Sequence, residues 1–249
     1  MTDRFVIIVP ARAASTRLPN KPMVPIHGRS LISRIIDLAQ SSNAINSYIA
    51  TDSIEIKNHA ESLGANVVLT SDKHASGMDR IAEAAKKIDL PLDTLILNLQ
   101  GDEPFMPLQI INKLPMLISK DAPIATACVS FNENMDINNP NEVKVVRSKS
   151  KKAIYFSRSV IPNSFTFDYK NYLKHLGIYA YTNETLQALS KLDQTENEKT
   201  ERLEQLRFLD NGFNIYVEDF EFDAPIGIDT PDDLEAAIAF AKKMTDDAI

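Results

Sequence analysis

The chain has 249 residues, of which 44% are hydrophobic and 24% are charged, and its formal net charge is -7. This composition is typical of an ordinary soluble globular protein, and the length favours one large α/β domain with a full core over two domains. The acidic balance argues against a general nucleic-acid binder, which is normally basic.

The N-terminal residues run straight into an apolar segment without a signal-peptide pattern, and no apolar run is long enough to span a bilayer. The single cysteine, Cys128, cannot form an internal disulfide. It lies in an apolar run, where a buried and inert thiol is expected. We therefore expect a cytoplasmic protein with no membrane and no nucleic-acid partner.

A basic loop, residues 10–22, follows the first apolar run and reads PARAASTRLPNKP. The β-branched run before it ends abruptly at Pro10, which is typical of a buried strand that enters a loop. Over residues 4–36 there are six Lys or Arg residues and no Asp or Glu. Fixed cations beside backbone amides and hydroxyls suit a polyanion, so we predict a nucleoside triphosphate site. Solvated surface cations are the alternative. The cations of the loop are Arg12, Arg17 and Lys21.

Strand-type and helix-type segments alternate through the first half of the chain, which predicts a parallel sheet flanked by helices. Hydrophobic periodicity predicts strands over 47–51, 66–70 and 94–99, and helices over 30–42, 54–63 and 76–88. Ligands of such sheets bind beyond the carboxyl ends of the strands. We therefore expect the basic loop and the loops at Asp52, 71–77 and 100–104 to converge on one crevice.

The second half of the chain is richer in extended segments. Strands are predicted over 124–131, 142–147, 152–157 and 174–181, and helices over 184–192, 196–211 and 231–243. We find no internal repeat, low-complexity tract or linker. The predicted fold is a single α/β domain with a Rossmann-like, mostly parallel mixed sheet flanked by helices, into which a β-rich and helical arm is inserted.

Two aspartates occupy positions that suit a hard cation. Asp102 follows a predicted buried strand and adjoins Gly101, which lets another backbone or a ligand approach closely. Plain turn chemistry could also explain an Asp there. Asp229 lies just before a predicted helix at which Thr230 is the N-cap and Asp233 lies at N3, so helix capping does not account for Asp229.

The pattern PARxxSTRLPxKP resembles the signature of the sugar nucleotidyltransferases, and specifically of the 3-deoxy-manno-octulosonate (Kdo) cytidylyltransferases. Three later segments match that family in the same order: YFSR at 155–158, HLGIY at 175–179 and LEQLR at 203–207. The resemblance therefore extends over nearly the whole chain. It implies a nucleotide-binding part over about 1–120, an acceptor and dimerisation part over about 121–220 and a closing helix over 230–247.

The resemblance implies transfer of CMP from CTP to the anomeric hydroxyl of Kdo, giving CMP-Kdo and pyrophosphate for lipopolysaccharide biosynthesis. A Mg²⁺ ion held by Asp102 and Asp229 would neutralise charge around the α-phosphorus. The expected catalytic residues are Lys21, Arg12, Asp102 and Asp229. Other readings stay open: the acceptor could be 8-amino-3,8-dideoxy-Kdo or a sialic acid, or the chain could be a non-catalytic nucleotide-binding regulatory module.

The resemblance also assigns residues to the two substrates. The nucleotide-binding set is Arg12, Arg17, Lys21, Ser76, Gly77, Arg80 and Asp102, with the Ser76-Gly77 pair against the pyrimidine ring. The acceptor-binding set is Gln100, Arg158, His175, Tyr179, Glu204 and Gln205. Taken singly, Arg158 could form a surface ion pair, His175 could be a satisfied strand-edge histidine, and Glu204 could be a helix partner of Arg207. A homodimer formed through the β-rich arm is implied by resemblance alone.

The chain departs from the family pattern at a few positions. Ala13 stands where an aromatic residue is common, and Met78-Asp79 stands where Thr-Glu is more usual. Asn20 stands where Gly is usual, and Asn tolerates the left-handed backbone nearly as well as Gly does. None of these departures removes a charged group that the expected chemistry needs.

Overall fold

Helices and strands alternate along the chain in the computed structural model, which describes residues 4–13, 18–74 and 76–246. The elements of the first half are β1 (Phe5–Ala11), β2 (Pro25–Ile26), β3 (Arg29–Ser30), α1 (Leu31–Gln40), β4 (Asn46–Thr51), α2 (Ile54–Ser62), β5 (Asn66–Leu69), α3 (Gly77–Lys87), β6 (Leu95–Asn98) and α4 (Leu108–Lys113). The later elements are β7 (Ile124–Ser130), β8 (Lys144–Arg147), β9 (Ala153–Ser157), β10 (Leu173–Thr182), α5 (Asn183–Leu189), α6 (Glu196–Glu201), α7 (Gln205–Asp210), β11 (Ile215–Phe220) and α8 (Pro231–Asp246). Short 3-10 helices occur at Lys21–Met23, Leu114–Leu117 and Tyr169–Asn171.

The chain divides into two compact units. The first unit combines the residues up to Asn112 with those from Pro225 onward, and the second unit spans Lys113–Ala224. The last described segment of the chain thus belongs to the same unit as the first segment. The predicted organisation as one domain with three parts stays a prediction.

Four strands of the first unit are parallel and lie in the order β6-β1-β4-β5, and the short strands β2 and β3 pair antiparallel with each other as a separate hairpin. Residues 5–9 of β1 are buried, because this central strand is covered on both faces, and this explains their unbroken apolar run. Side-chain caps start the flanking helices: the Ser30 hydroxyl accepts from the backbone N–H of Ser33, and the Ser76 hydroxyl accepts from that of Asp79. The carboxyl ends of the strands meet at one edge, where the loops that follow them lie together.

The second unit has a mixed, mainly antiparallel sheet. β7 pairs with β11 in parallel and with β10 antiparallel, β8 pairs antiparallel with β10, and β9 pairs antiparallel with β8. The pairing of β10 with β7 is irregular between Leu176 and Tyr179. Cys128 is buried in β7, as predicted, and burial raises the pKa of its thiol to about 12. The predicted α/β class, with a mostly parallel mixed sheet flanked by helices, is confirmed.

The structure corrects the helix predicted over 196–211. Arg202 adopts a left-handed backbone (φ 54°) that separates α6 from α7, so the segment forms two short helices. The strand β11 and the helix α4 were not predicted. Among the described residues, none of the helices has the length and hydropathy needed to cross a bilayer.

Candidate active site

A polar cleft of about 340 Å³ lies in the first unit, beyond the carboxyl ends of its parallel strands. Its walls come from the basic loop, the loop before α3, the loop after β6 and the segment before α8. The cleft is lined by the predicted residues Arg12, Lys21, Ser76, Gly77, Arg80 and Asp102, together with Gln100 and Asp229. Arg17 lies outside the described residues, as do Ser15 and Thr16.

Lys21 lies between the two aspartates that the sequence singled out. Its Nζ is 2.8 Å from Asp102 Oδ2 and 2.8 Å from Asp229 Oδ1. The lysine side chain is 13% exposed, whereas that of Asp229 is 48% exposed. Burial disfavours the charged ammonium, but the negative charge of Asp102 and the hydrogen bonds to both carboxylates raise the pKa of Lys21 overall. The lysine is therefore a fixed cation in this cleft.

Local backbone geometry places these groups. Asn20 adopts the left-handed conformation (φ 52°, ψ 36°), as expected for a residue that stands where Gly is usual, and the 3-10 turn begins directly after it. The backbone N–H of Ile228 donates to the carbonyl oxygen of Asp102 at 2.9 Å. This bond fixes the segment before α8 beside the loop after β6, and so brings Asp229 to Asp102.

The predicted capping box at the start of α8 is present. The carboxylate of Asp233 accepts from the backbone N–H of Thr230 at 2.8 Å, and the Thr230 hydroxyl accepts from the N–H of Asp233 at 3.2 Å. The same carboxylate accepts from the N–H of Asp229 at 3.0 Å. The cap thus holds the Asp229 backbone, and the Asp229 side chain is directed to Lys21.

Glycine lets the backbones at the cleft approach closely. A Cβ atom on Gly101 would lie 2.9 Å from the carbonyl oxygen of Pro10, a distance that real Cβ atoms do not adopt. A Cβ atom on Gly77 would lie 3.4 Å from the ring of Pro10. Gly101 therefore permits the basic loop and the loop after β6 to be in contact, as its position in the sequence suggested.

Arg80 is almost fully buried in the wall of the cleft. Its side chain is 3% exposed, with Nη2 2.6 Å from Asp52 Oδ2 and Nη1 2.6 Å from the Thr70 hydroxyl. Asp52 also accepts from the backbone N–H of Ala13 at 3.3 Å. The loop at Asp52 is thus joined to the cleft through its contacts with Arg80 and Ala13, in agreement with the prediction that it lies near the crevice.

His74 also lines the cleft, although it was not among the site residues predicted from the sequence. Its Nε2 contacts the carboxylate of Glu83, which also accepts from the backbone N–H of Ser71 and from Lys87. Burial opposes ionisation of Glu83, but these donors lower its pKa to about 2. Its position two residues before Ser76, in a loop expected at the crevice, was the sequence feature that could have indicated His74 as a lining residue.

In the second unit, Arg158 is engaged with the backbone. Its guanidinium donates to the carbonyl oxygens of Glu201 (2.8 Å), Pro140 (2.8 Å) and Arg202 (3.2 Å). The carboxylate of Glu201 accepts from the backbone N–H of Arg158 at 2.9 Å and from the Ser157 hydroxyl at 2.6 Å. These bonds explain the break between α6 and α7, because the left-handed turn at Arg202 exposes the carbonyl oxygens of Glu201 and Arg202 to the Arg158 guanidinium.

His175 is a buried histidine whose ring is hydrogen-bonded, which agrees with the alternative that its role is structural. It is 8% exposed, with Nε2 3.0 Å from the Thr126 hydroxyl. Burial lowers the pKa of His175 to about 3, so the ring is neutral at physiological pH. Tyr179 lies beside it, with ring centroids 5.5 Å apart, and burial followed by the charge of Glu204 raises the pKa of its phenol well above the ordinary value.

Glu204 and Gln205 lie at the start of α7. Arg207 is a helix partner of Glu204, as expected, with Nη2 3.9 Å from Glu204 Oε1. It also forms a closer, two-pronged ion pair with Glu198, at 2.6 and 2.8 Å. The structure brings His175, Tyr179 and Glu204 into one neighbourhood of the second unit, and the contacts of these residues with an acceptor stay predictions.

The cleft lies at the carboxyl edge of a parallel sheet and is lined by a basic loop and by a lysine that two aspartates share. This arrangement is typical of a nucleotide-binding α/β protein. A family model described as cytidylyltransferase matches residues 6–220. The chain therefore belongs to the cytidylyltransferase family.

Relatives and a solved structure make this assignment more specific. A protein of Polynucleobacter necessarius subsp. necessarius is 42% identical over 238 residues, which are 93% of each chain. One of Francisella tularensis subsp. holarctica is 43% identical over 237 residues, which are 92% of this chain and 95% of the relative. Both are named 3-deoxy-manno-octulosonate cytidylyltransferase. The fold is similar, with a TM-score of 0.89 and 35% identity, to a CMP:2-keto-3-deoxy-manno-octonic acid synthetase complexed with CTP, over 97% of this chain and 99% of that one.

Proposed function

We propose that the protein transfers CMP from CTP to the anomeric hydroxyl of Kdo, giving CMP-Kdo and pyrophosphate. The observation that carries the proposal is the joint contact of Lys21 with Asp102 and Asp229 in a cleft that Arg12 also lines. Relatives that share 42–43% of their residues with nearly the whole chain are named for this reaction. The anomeric oxygen attacks the α-phosphorus in line, and the bond to the bridging oxygen of pyrophosphate breaks, so no covalent enzyme intermediate is needed.

The residues of the cleft suit this reaction electrostatically. Lys21 and Arg12, with Arg17 of the same loop, are proposed to bind the β- and γ-phosphates and to stabilise the departing pyrophosphate. Because Lys21 is buried and paired, it keeps its charge through the reaction. Its role is therefore to neutralise negative charge, and it transfers no proton.

Asp102 and Asp229 fit the requirements of a Mg²⁺ site. Their carboxylates are hard oxygen donors, and both lie 2.8 Å from the same ammonium group, so this position favours a positive charge. When bound there together with the triphosphate, Mg²⁺ would neutralise charge on the attacking and leaving sides of the α-phosphorus. The exposed side chain of Asp229 can turn from Lys21 to such an ion without disturbing the cap of α8.

The cytosine base is proposed to lie against Ser76 and Gly77. A Cβ atom on Gly77 would lie 3.4 Å from the ring of Pro10, so the space between residue 77 and Pro10 is small. We propose that a pocket of this size admits the pyrimidine ring and excludes the larger purine ring. Arg80 lies in the same wall and is held by Asp52 and Thr70.

The acceptor is proposed to contact Arg158, His175, Tyr179, Glu204 and Gln205 of the second unit. The acceptor-binding role of Gln100 stays a prediction. A sugar acid has one carboxylate and several hydroxyls, which suits a guanidinium together with neutral hydrogen-bonding groups. Since burial keeps His175 neutral, its ring presents a hydrogen-bonding group without charge. Of the alternative acceptors, 8-amino-3,8-dideoxy-Kdo would carry a positive charge that Kdo lacks, and a sialic acid would be larger than Kdo.

A homodimer formed by the second unit is also proposed, and the cytoplasm stays the expected compartment. Large apolar side chains are exposed on this unit: Phe165 is 103% exposed, Ile154 60% and Phe167 56%. Exposed aromatic side chains of this kind are enriched at protein interfaces. Analytical ultracentrifugation of the wild type and of Phe165→Ser tests the proposal, and a wild-type monomer at micromolar concentration contradicts it.

Pyrophosphate release tests the reaction directly. The protein is incubated with Mg²⁺, each of the four NTPs in turn, and Kdo, 8-amino-3,8-dideoxy-Kdo or N-acetylneuraminate. Release with CTP and Kdo alone is the expected result, and mass spectrometry then identifies CMP-Kdo. Release only with another acceptor changes the substrate and keeps the mechanism. No release from folded protein that still binds CTP favours the regulatory module.

A further inference from the structure

Asp52 connects separate walls of the nucleotide cleft. It follows β4 and uses its two carboxylate oxygens differently: Oδ1 accepts from the backbone N–H of Ala13 at 3.3 Å, and Oδ2 accepts from Arg80 Nη2 at 2.6 Å. Ala13 directly follows Arg12 in the basic loop, and Arg80 belongs to α3, whose first residue is Gly77. One carboxylate thus links the phosphate side of the cleft to the side proposed for the base.

We propose that Asp52 is a positioning residue for the nucleotide: it fixes the start of the basic loop relative to Arg80, and so sets the distance between the phosphate-binding and base-binding walls. The proposal deepens the proposed function and rests on CTP as the ligand. Asp52 is placed behind the lining of the cleft, and it acts on the nucleotide through Ala13 and Arg80.

Burial strengthens the Arg80 half of this link, whereas the 3.3 Å bond to Ala13 is exposed. The side chain of Asp52 is 14% exposed and that of Arg80 is 3% exposed, so solvent screens their attraction little. Arg80 is held at a second point by the hydroxyl of Thr70, 2.6 Å from Nη1, which leaves the guanidinium a single orientation. Without the charge of Asp52, the buried guanidinium has lost its carboxylate partner and the backbone N–H of Ala13 has lost a strong acceptor.

The fixed distance between the walls has a chemical use. A nucleoside triphosphate is long and flexible, and a site that already has the correct spacing avoids the cost of ordering both walls when the ligand binds. Loss of Asp52 should therefore weaken CTP binding more than it slows the chemical step, because its carboxylate bonds described above are to Ala13 and Arg80 rather than to the groups proposed to act at the α-phosphorus.

The test is isothermal titration of CTP in the absence of acceptor, comparing the wild type with Asp52→Asn and Asp52→Glu. We expect the Kd of Asp52→Asn to rise at least about tenfold and that of Asp52→Glu, which keeps the charge, to be intermediate. In turnover assays the KM for CTP of Asp52→Asn should rise about as much as the Kd, while kcat at saturating CTP falls less than about threefold.

The matched control is Glu198→Gln, which breaks an equally buried pair with Arg207 in the second unit. It should lower the melting temperature and leave the Kd for CTP unchanged. If Asp52→Asn does not fold, the double variant Asp52→Asn/Arg80→Gln replaces it, because no unpaired buried charge is left, and its Kd is compared with that of Arg80→Gln alone to separate the contribution of Arg80 itself. A Kd within about twofold of wild type in either folded variant overturns the proposal. A wild-type chain that does not bind CTP overturns the proposed function instead, before any variant is compared.

Discussion

Lys21 in the first unit and Arg158 in the second are both cations proposed to contact a substrate, but their partners differ in kind. Lys21 donates to the carboxylates of Asp102 and Asp229, of which the second is 48% exposed. Arg158 donates to the backbone carbonyl oxygens of Glu201, Pro140 and Arg202. Side-chain partners can be exchanged for a ligand by rotation about single bonds, whereas backbone partners require the chain itself to move. The nucleotide cleft is therefore suited to exchange of charged partners, and the second unit is suited to fixed geometry.

Removing either carboxylate is expected to have the largest effect. Asp102→Asn and Asp229→Asn should each lower kcat by at least about 100-fold, since charge neutralisation at the α-phosphorus is lost. The fold should persist, because an amide oxygen still accepts from Lys21. Pyrophosphate release and circular dichroism measure the two effects. Asp232→Asn, at the start of the same helix, is the matched control and should retain activity. Near-normal turnover in either variant removes that aspartate from the site.

Lys21→Ala should act mainly on the nucleotide. We expect the KM for CTP to rise about 10- to 100-fold while the KM for the acceptor changes little, because the lysine is proposed to bind phosphate oxygens. Initial rates with each substrate varied in turn measure both constants. Lys57→Ala, which removes a half-buried lysine of α2 that pairs with Glu61 outside the cleft lining, is the control. An unchanged KM for CTP together with an unchanged kcat would place the triphosphate elsewhere.

Arg158→Lys tests the fixed geometry of the second unit. A lysine cannot bind three carbonyl oxygens in the planar fork that the guanidinium offers, so the free energy of unfolding should fall by about 1 to 3 kcal/mol. The KM for the acceptor should rise and the KM for CTP should stay unchanged. Urea denaturation and substrate titration measure these effects, with the exposed Arg4→Lys as control. If Arg158→Lys loses CTP affinity as well, the contrast between the two units fails.

The smallest effect at neutral pH concerns His175. Because burial lowers its pKa to about 3, the unfolded chain, with an ordinary histidine pKa of about 6.5, binds a proton that the folded chain does not. This contribution to stability is complete above about pH 6.5 and is lost as the pH falls toward 3, by up to about 1.4 kcal/mol per pH unit. Urea unfolding at several pH values should therefore give a shallower pH dependence for His175→Gln than for the wild type. Equal slopes contradict the prediction.

Local sequence signals predicted the parts of the structure that depend on neighbouring residues. The buried run of β1, the left-handed Asn20 and the capping box of Thr230 and Asp233 each follow from the chemistry of a few adjacent positions. The close approach at Gly101 was predicted for the same reason. Those features also placed Asp102 and Asp229 at the ends of elements, which is why the pair could be proposed from sequence.

Features that depend on distant residues were not predictable in this way. The break at Arg202 satisfies Arg158, which lies 44 positions earlier, and a helical pattern over 196–211 contains no trace of that partner. Strand β11 alternates apolar and polar residues only in part, and it forms because β7 offers an edge. His74 pairs with Glu83, nine positions later in α3, and a contact of that kind is not visible in local sequence, so His74 was not predicted as a residue of the cleft.

The return of the last segment to the first unit has a consequence for protein synthesis. Asp229 comes 208 positions after Lys21, and the strands β1, β4, β5 and β6 are all translated before it. A nascent chain can thus fold most of this unit while the bond from Ile228 to Asp102 is still missing. In such a nascent chain, Lys21 can pair with Asp102, but Asp229 is still missing. The cleft is complete only after the ribosome has passed residue 229, so chains that end before it should not consume CTP.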